Sequence, residues 1–157
     1  MTTSTQVFII SWRGQHENAL KIAKELSGND RKVTVVFSDP DNGMKLEGDF
    51  HVLRRPDERF FGDKFNACLE VFEAETFMLI HADCHTNDWQ RLVDKCERTL
   101  AGHRSVGIWA PKIDYTGFDL ERTWIADTPI PELKIVGHTD SIVFGLRASV
   151  IERLKEA

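Results

Sequence analysis

The chain of 157 residues lacks any apolar stretch approaching the roughly 20 residues that a membrane helix needs. Met1 to Gln6 is polar and shows no signal-peptide pattern, so a cytoplasmic location is the expectation. Cysteine is scarce: Cys68, Cys84 and Cys96 are odd in number and form no CxxC pair, which excludes a disulfide framework and fits a reducing compartment with free thiols. Basic residues are outnumbered, 20 Lys and Arg against 25 Asp and Glu for a net charge of −5, which argues against a general nucleic-acid binder. The turn Ser11-Trp12-Arg13-Gly14-Gln15-His16 is not the glycine-rich dinucleotide fingerprint, and no GxxxxGK[ST] loop occurs, so nicotinamide cofactors and P-loop hydrolysis lose support. Repeats, low-complexity runs and linkers are absent as well. What remains is 41% hydrophobic and 29% charged, the composition of one ordinary globular domain over residues 1–157.

The strongest pattern present is Phe77-Met78-Leu79-Ile80-His81-Ala82-Asp83-Cys84-His85. Its apolar start suits a strand buried on both faces, and polar groups at the carboxyl end of such a strand lie where open α/β sheets bind ligands. Around it, Gln6–Trp12, Lys32–Phe37, Phe50–Leu53 and Ser105–Ala110 read as strands. Gly14–Ser27, with Ala19, Ile22, Ala23 and Leu26 on one stripe and Gly28 as its left-handed cap, reads as a helix. Phe60–Ala74 and a helix capped by Asn87 and running to Leu100 flank the central strand. Arg122–Ala126, Leu133–Val136 and Ser141–Phe144 read as short strands, and Arg147–Glu156 as a helix burying Val150, Ile151 and Leu154. This alternation predicts an α/β fold: a Rossmann-like mixed, mostly parallel sheet with helices on both faces.

The segment Gly62-Asp63-Lys64-Phe65-Asn66-Ala67-Cys68-Leu69, followed by Phe77 to Cys84, resembles the centre of a GT-A fold glycosyltransferase of the inverting family two type, a nucleotide-diphospho-sugar transferase-like fold. In that family a hydrophobic strand ends in Asp-Ala-Asp; here the triplet is His81-Ala82-Asp83, with the first carboxylate replaced. The resemblance implies transfer of sugar from a UDP- or GDP-type donor to a saccharide or other hydroxyl acceptor. It makes Asp83, with His85 beside it, the ligand set for Mn²⁺ or Mg²⁺ on the diphosphate. Ser11, Trp12 and Arg13 match the loop that wraps the nucleotide, Asp39 the contact to base or ribose, and Lys64 and Asn66 the donor-facing helix. Asp140 matches an acceptor-side carboxylate and is the candidate general base.

Each of these residues has a plainer reading. Asp83 as a turn cap, Asp39 bonding within its Asp-Pro turn, Arg13 and Lys64 as solvated cations and Asn66 as a polar packing contact all stay open. His81, Cys84 and His85 are a second metal possibility, a zinc site, although three ligands from five residues make poor tetrahedral geometry. Arg54-Arg55 reads as a phosphate-attracting or a merely solvated corner, and Trp12, Trp109 and Trp124 as sugar-stacking faces or core. In the family an acidic motif follows the helix matched here by Arg147–Glu156, so the resemblance implies an incomplete acceptor part, slow turnover and an apolar patch open to self-association. A catalytically silent binding or assembly module and a nucleotidyl transferase with a related sheet are the competing readings.

Overall fold

A computed structural model of the chain describes residues 4–28, 31–38, 46–56, 59–113, 125–136 and 142–156. In order, the elements are β1 (Thr5–Ser11), α1 (His16–Leu26), β2 (Lys32–Phe37), β3 (His51–Arg54), α2 (Phe61–Glu70) and β4 (Thr76–His81). They are followed by α3 (Trp89–Gly102), β5 (Ile108–Trp109), β6 (Ile125–Asp127), β7 (Lys134–Val136), β8 (Val143–Arg147) and α4 (Ala148–Glu156). Six strands form one sheet in the order β3-β2-β1-β4-β8-β5, and β6 and β7 form a separate hairpin. The pairings β1–β2, β1–β4 and β2–β3 are parallel, whereas β8 runs antiparallel to both β4 and β5. The expected mixed, mostly parallel α/β sheet is therefore the fold observed.

Period-two alternation divides the core between the two faces of the sheet. Val7, Ile9, Met78 and Ile80 join Ala19, Ile22 and Leu26 of α1 and Val93 and Leu100 of α3 on one face. Phe8, Ile10, Phe77 and Leu79 join Cys68 and Leu69 of α2 and Ile151 of α4 on the other. Because β1 and β4 are covered on both sides, their middles, Val7–Ile10 and Phe77–Ile80, are continuously apolar. Each large side chain so buried contributes about 1.5–3 kcal/mol relative to exposure. Among the described residues no helix is long and apolar enough to cross a membrane.

Several boundaries differ from the sequence reading for identifiable reasons. α2 stops at Glu70 rather than Ala74, because the buried Gln6 carboxamide takes the Val71 carbonyl (3.2 Å) and the Glu73 amide (3.1 Å) out of any helical ladder. The cap of α3 is Asp88, not Asn87; its carboxylate accepts the Arg91 amide at 2.8 Å. The strand expected over 105–110 shrinks to Ile108–Trp109, since Val106 is held in the turn leaving α3 by its amide bond to the His103 carbonyl (2.9 Å). β3 is shifted by one residue towards its carboxyl end, and β8 starts two residues later and ends three later than expected, continuing to Arg147 because its ladder with β4 extends to Thr76. α4 buries only Ile151, and Leu154 is 47% exposed. Only part of the segment expected as a strand over 122–126 is described, as the start of β6.

Candidate functional site

The chain leaves β1 towards β2 on one side, while β4 lies against β1 on the other, so the carboxyl ends of β1 and β4 form the switch point of the sheet. Gly14 (φ +88°) permits the tight turn after β1, which is closed by the Gln15 amide on the Trp12 carbonyl at 2.9 Å. Ser11 is buried; its Oγ lies 2.5 Å from His16 Nδ1, and its carbonyl accepts the Ser38 hydroxyl. His16 in turn stacks on Phe37 with ring centroids 4.0 Å apart. Ser11 thus shapes the turn from inside, leaving half-buried Trp12 and exposed Arg13 at the mouth.

The turn after β4 is fixed from several directions. The Ala82 amide bonds the Ile10 carbonyl (3.0 Å), the His81 amide the Ile142 carbonyl (2.8 Å), and Asn18 of α1 donates to the carbonyls of Ala82 and Cys84. These bonds hold the backbone and leave the side chains of Asp83 and His85 exposed. Among the described residues no backbone amide donates to the Asp83 carboxylate, and the cap of α3 is supplied by Asp88 instead. The Cys84 thiol lies 3.9 Å from Asp83 Oδ1 and 3.9 Å from the Ile142 carbonyl. His81, at the end of β4, meets the edge of Trp12 at 5.4 Å and the ring of Phe61 at 5.2 Å. Trp12, His81 and Asp83 therefore come together at one edge, joined by Phe61 from the start of α2.

The remaining candidates are dispersed or lie elsewhere. Lys64 and Asn66, two positions apart on α2, point about 200° away from each other around the helix. Accordingly Lys64 is buried and Asn66 exposed. Arg54 covers the ring of Phe37 at 5.7 Å and Arg55 lies 3.9 Å from Glu70. Trp109 is core. Asp39, Asp140 and Trp124 fall outside the described residues. Burial pushes the Cys68 thiol up to about 12 and raises that of Cys96 too, so both are unreactive packing groups. Sequence reasoning missed Asn18 and Phe61; an aromatic pair Phe60-Phe61 at a helix start, outside the apolar stripe, was the available signal for the second.

The donor set can be tested against a divalent cation. Among the described residues no three His, Cys, Asp or Glu side chains converge, so the zinc alternative built on His81, Cys84 and His85 finds no gathered trio. Asp83 offers one exposed carboxylate with His85 nearby, and Mg²⁺-type ions accept one or two carboxylates when substrate phosphates complete the shell. The residues fit a cation that arrives with a diphosphate, not a preformed protein cage.

No protein-family model matches the chain, and no curated protein sequence matches it. Solved structures do. CMP:2-keto-3-deoxy-manno-octonic acid synthetase complexed with CTP superposes with TM-score 0.60 at 11% identity, over 98% of this chain and 78% of that one. The mannosyltransferase PcManGT from Pyrobaculum calidifontis, in complex with GDP-Man and Mn²⁺, gives 0.65 at 13% identity over 98% of this chain and 47% of that one. S. aureus TarS 1-349 gives 0.59 at 13% over 97% and 49%. This chain spans about half the length of the latter two. At such identities the likeness is one of fold alone, a Rossmann-like, mostly parallel sheet with helices on both faces.

Proposed function

We propose that the chain is a GT-A-like domain that binds a nucleoside-diphosphate sugar of the UDP or GDP type at the carboxyl edge of β1 and β4, in the manner of a family two glycosyltransferase. The observation that carries this is the meeting of Trp12, His81 and Asp83 at the switch point of a sheet whose fold matches a GDP-Man-bound mannosyltransferase. Trp12 and Arg13 would border the nucleotide, with Asp39 on its base side and Lys64 and Asn66 on the donor-facing helix. Asp83, with His85, would hold Mn²⁺ or Mg²⁺, which when bound neutralises the charge of the diphosphate. Asp140 is the proposed base for a hydroxyl acceptor.

One observation favours a second reading, a binding module with little or no turnover. The position of the family's first carboxylate is taken by His81, whose ring packs near Trp12 and Phe61. Calorimetric titration with UDP, GDP and CDP, with and without Mn²⁺, tests the binding proposal. Binding that strengthens with Mn²⁺ in the parent and loses that increment in Asp83→Asn is expected; absence of binding to every nucleotide overturns it. Consumption of UDP- or GDP-sugar, abolished by Asp140→Asn, separates transferase from binding module.

A further inference from the structure

α3 sorts its charges by flank. Its core ridge carries Val93, Cys96 and Leu100, and on one side Asp94 and Glu97 turn to Arg31, whose side chain is only 6% exposed and whose Nε lies 2.9 Å from Glu97 Oε1. The other side presents Arg91, Lys95 and Arg98, spaced four and three residues apart and so stacked on one ridge. Like charges at this spacing repel, and a sequence of net charge −5 had carboxylates to place between them. Among the described residues neither Arg91 nor Arg98 has an acidic partner, and Lys95 meets Glu132 alone, at 3.2 Å.

This ridge faces a wall. The turn joining β6 to β7 packs Leu133 against the core and is tied by Thr128, whose hydroxyl accepts the Ile130 amide (3.0 Å) and lies 3.2 Å from the Leu133 carbonyl. Glu132 there adopts φ +64°, a conformation uncommon outside glycine. Between wall and helix lies a groove of about 250 Å³ lined by Arg91, Lys95, Arg98, Thr99 and His103, with Glu132 the one carboxylate. α3 crosses from the carboxyl end of β4 to β5, which runs parallel to β4, so the groove descends towards the amino edge and is separate from the cleft described above.

We propose that this groove binds a compact phosphate-type oxyanion. Two guanidinium groups and an ammonium line one ridge of the groove, and charge-assisted N–H donors of this kind suit phosphate or diphosphate oxygens. The site is independent of the nucleotide-sugar reading.

Amide-shift titration of the isotopically labelled full chain with inorganic phosphate and with pyrophosphate at low ionic strength tests it. Saturable shifts at Arg91, Lys95, Thr99 and Glu132 are expected, stronger for pyrophosphate. The double variant Arg91→Gln/Arg98→Gln, whose exposed positions leave the fold intact by circular dichroism, should weaken them about tenfold or more. Glu132→Gln should tighten binding about threefold by removing the opposing carboxylate. Asp83→Asn should leave these shifts unchanged. Shifts confined to residues 12–13 and 82–85, or equal affinity in the double variant, would overturn the proposal without touching the nucleotide cleft.

Discussion

The two edges of the central sheet are built on opposite plans. At the amino edge, side chains are spent on backbone groups: Gln6 bridges the segment after α2, and Arg147, at the far end of antiparallel β8, donates to the carbonyls of Leu100, His103 (3.0 Å) and Val106 (3.1 Å). At the carboxyl edge the backbone is held by backbone, by Asn18 and by the Ser38 hydroxyl, and Arg13, Asp83 and His85 are exposed beside half-buried Trp12. One edge secures connections; the other presents chemistry. Substitutions at the first should therefore change stability, and those at the second should change binding with the fold unaltered.

The largest expected effect is at Arg147. Replacing it with Met leaves the carbonyls at the end of α3 without their charged donor and should lower unfolding free energy by about 2–3 kcal/mol in denaturant titration. Gln6→Leu keeps the volume but strands the Val71 carbonyl and Glu73 amide, for about 2 kcal/mol. His81→Asp should sharpen the contrast by acting in both senses: loss of the imidazole beside Trp12 and Phe61 removes about 1 kcal/mol, while a second hard oxygen ligand tightens Mn²⁺ binding in calorimetry. Asp83→Asn is the opposite extreme. Its stability should stay within about 0.5 kcal/mol of the parent, as befits an exposed strand-end carboxylate.

The thiols divide between core and edge in the same way. Because burial raises Cys68 to about 12, the folded state holds this proton where the unfolded chain releases it at an ordinary thiol value. Its contribution is fully present below that value and is lost as pH rises through the folded one, so stability should decline from about pH 9 upward, read from denaturation midpoints. At neutral pH a thiol reagent should modify half-buried Cys84 well before Cys68 and Cys96, and all three only after denaturation.

Most of the fold was legible because the sheet is a matter of apolar periodicity. β1, β2 and β4 centre on runs of Val, Ile, Leu, Met and Phe, and α1 shows its stripe openly, with Gly28 at φ +93° where a left-handed cap was expected. Boundaries failed where a distant residue decided them: nothing near Val71 announces that Gln6, 65 positions earlier, will take its carbonyl. The candidate site reads as an edge and a motif, and Trp12 and Asp83 do lie at the same edge of the sheet. For Lys64 and Asn66 the linear motif hides the geometry, since a spacing of two on a helix separates side chains written side by side, one buried and one exposed. Asn18 carries no local signature, because its role depends on carbonyls of residues 82 and 84 reached only through the parallel pairing of β1 with β4.

The central claim, that a nucleoside diphosphate and its cation bind across Trp12 and Asp83, is tested most directly by the paramagnetism of Mn²⁺. Amide spectra of the labelled chain recorded with GDP or UDP and trace Mn²⁺ should lose the signals of residues 12–13 and 82–85 through relaxation by the nearby ion, whereas those of Gln6 and Arg147 at the opposite edge persist. In Asp83→Asn the loss should largely disappear. Broadening centred anywhere else, or unchanged in that variant, would contradict the account.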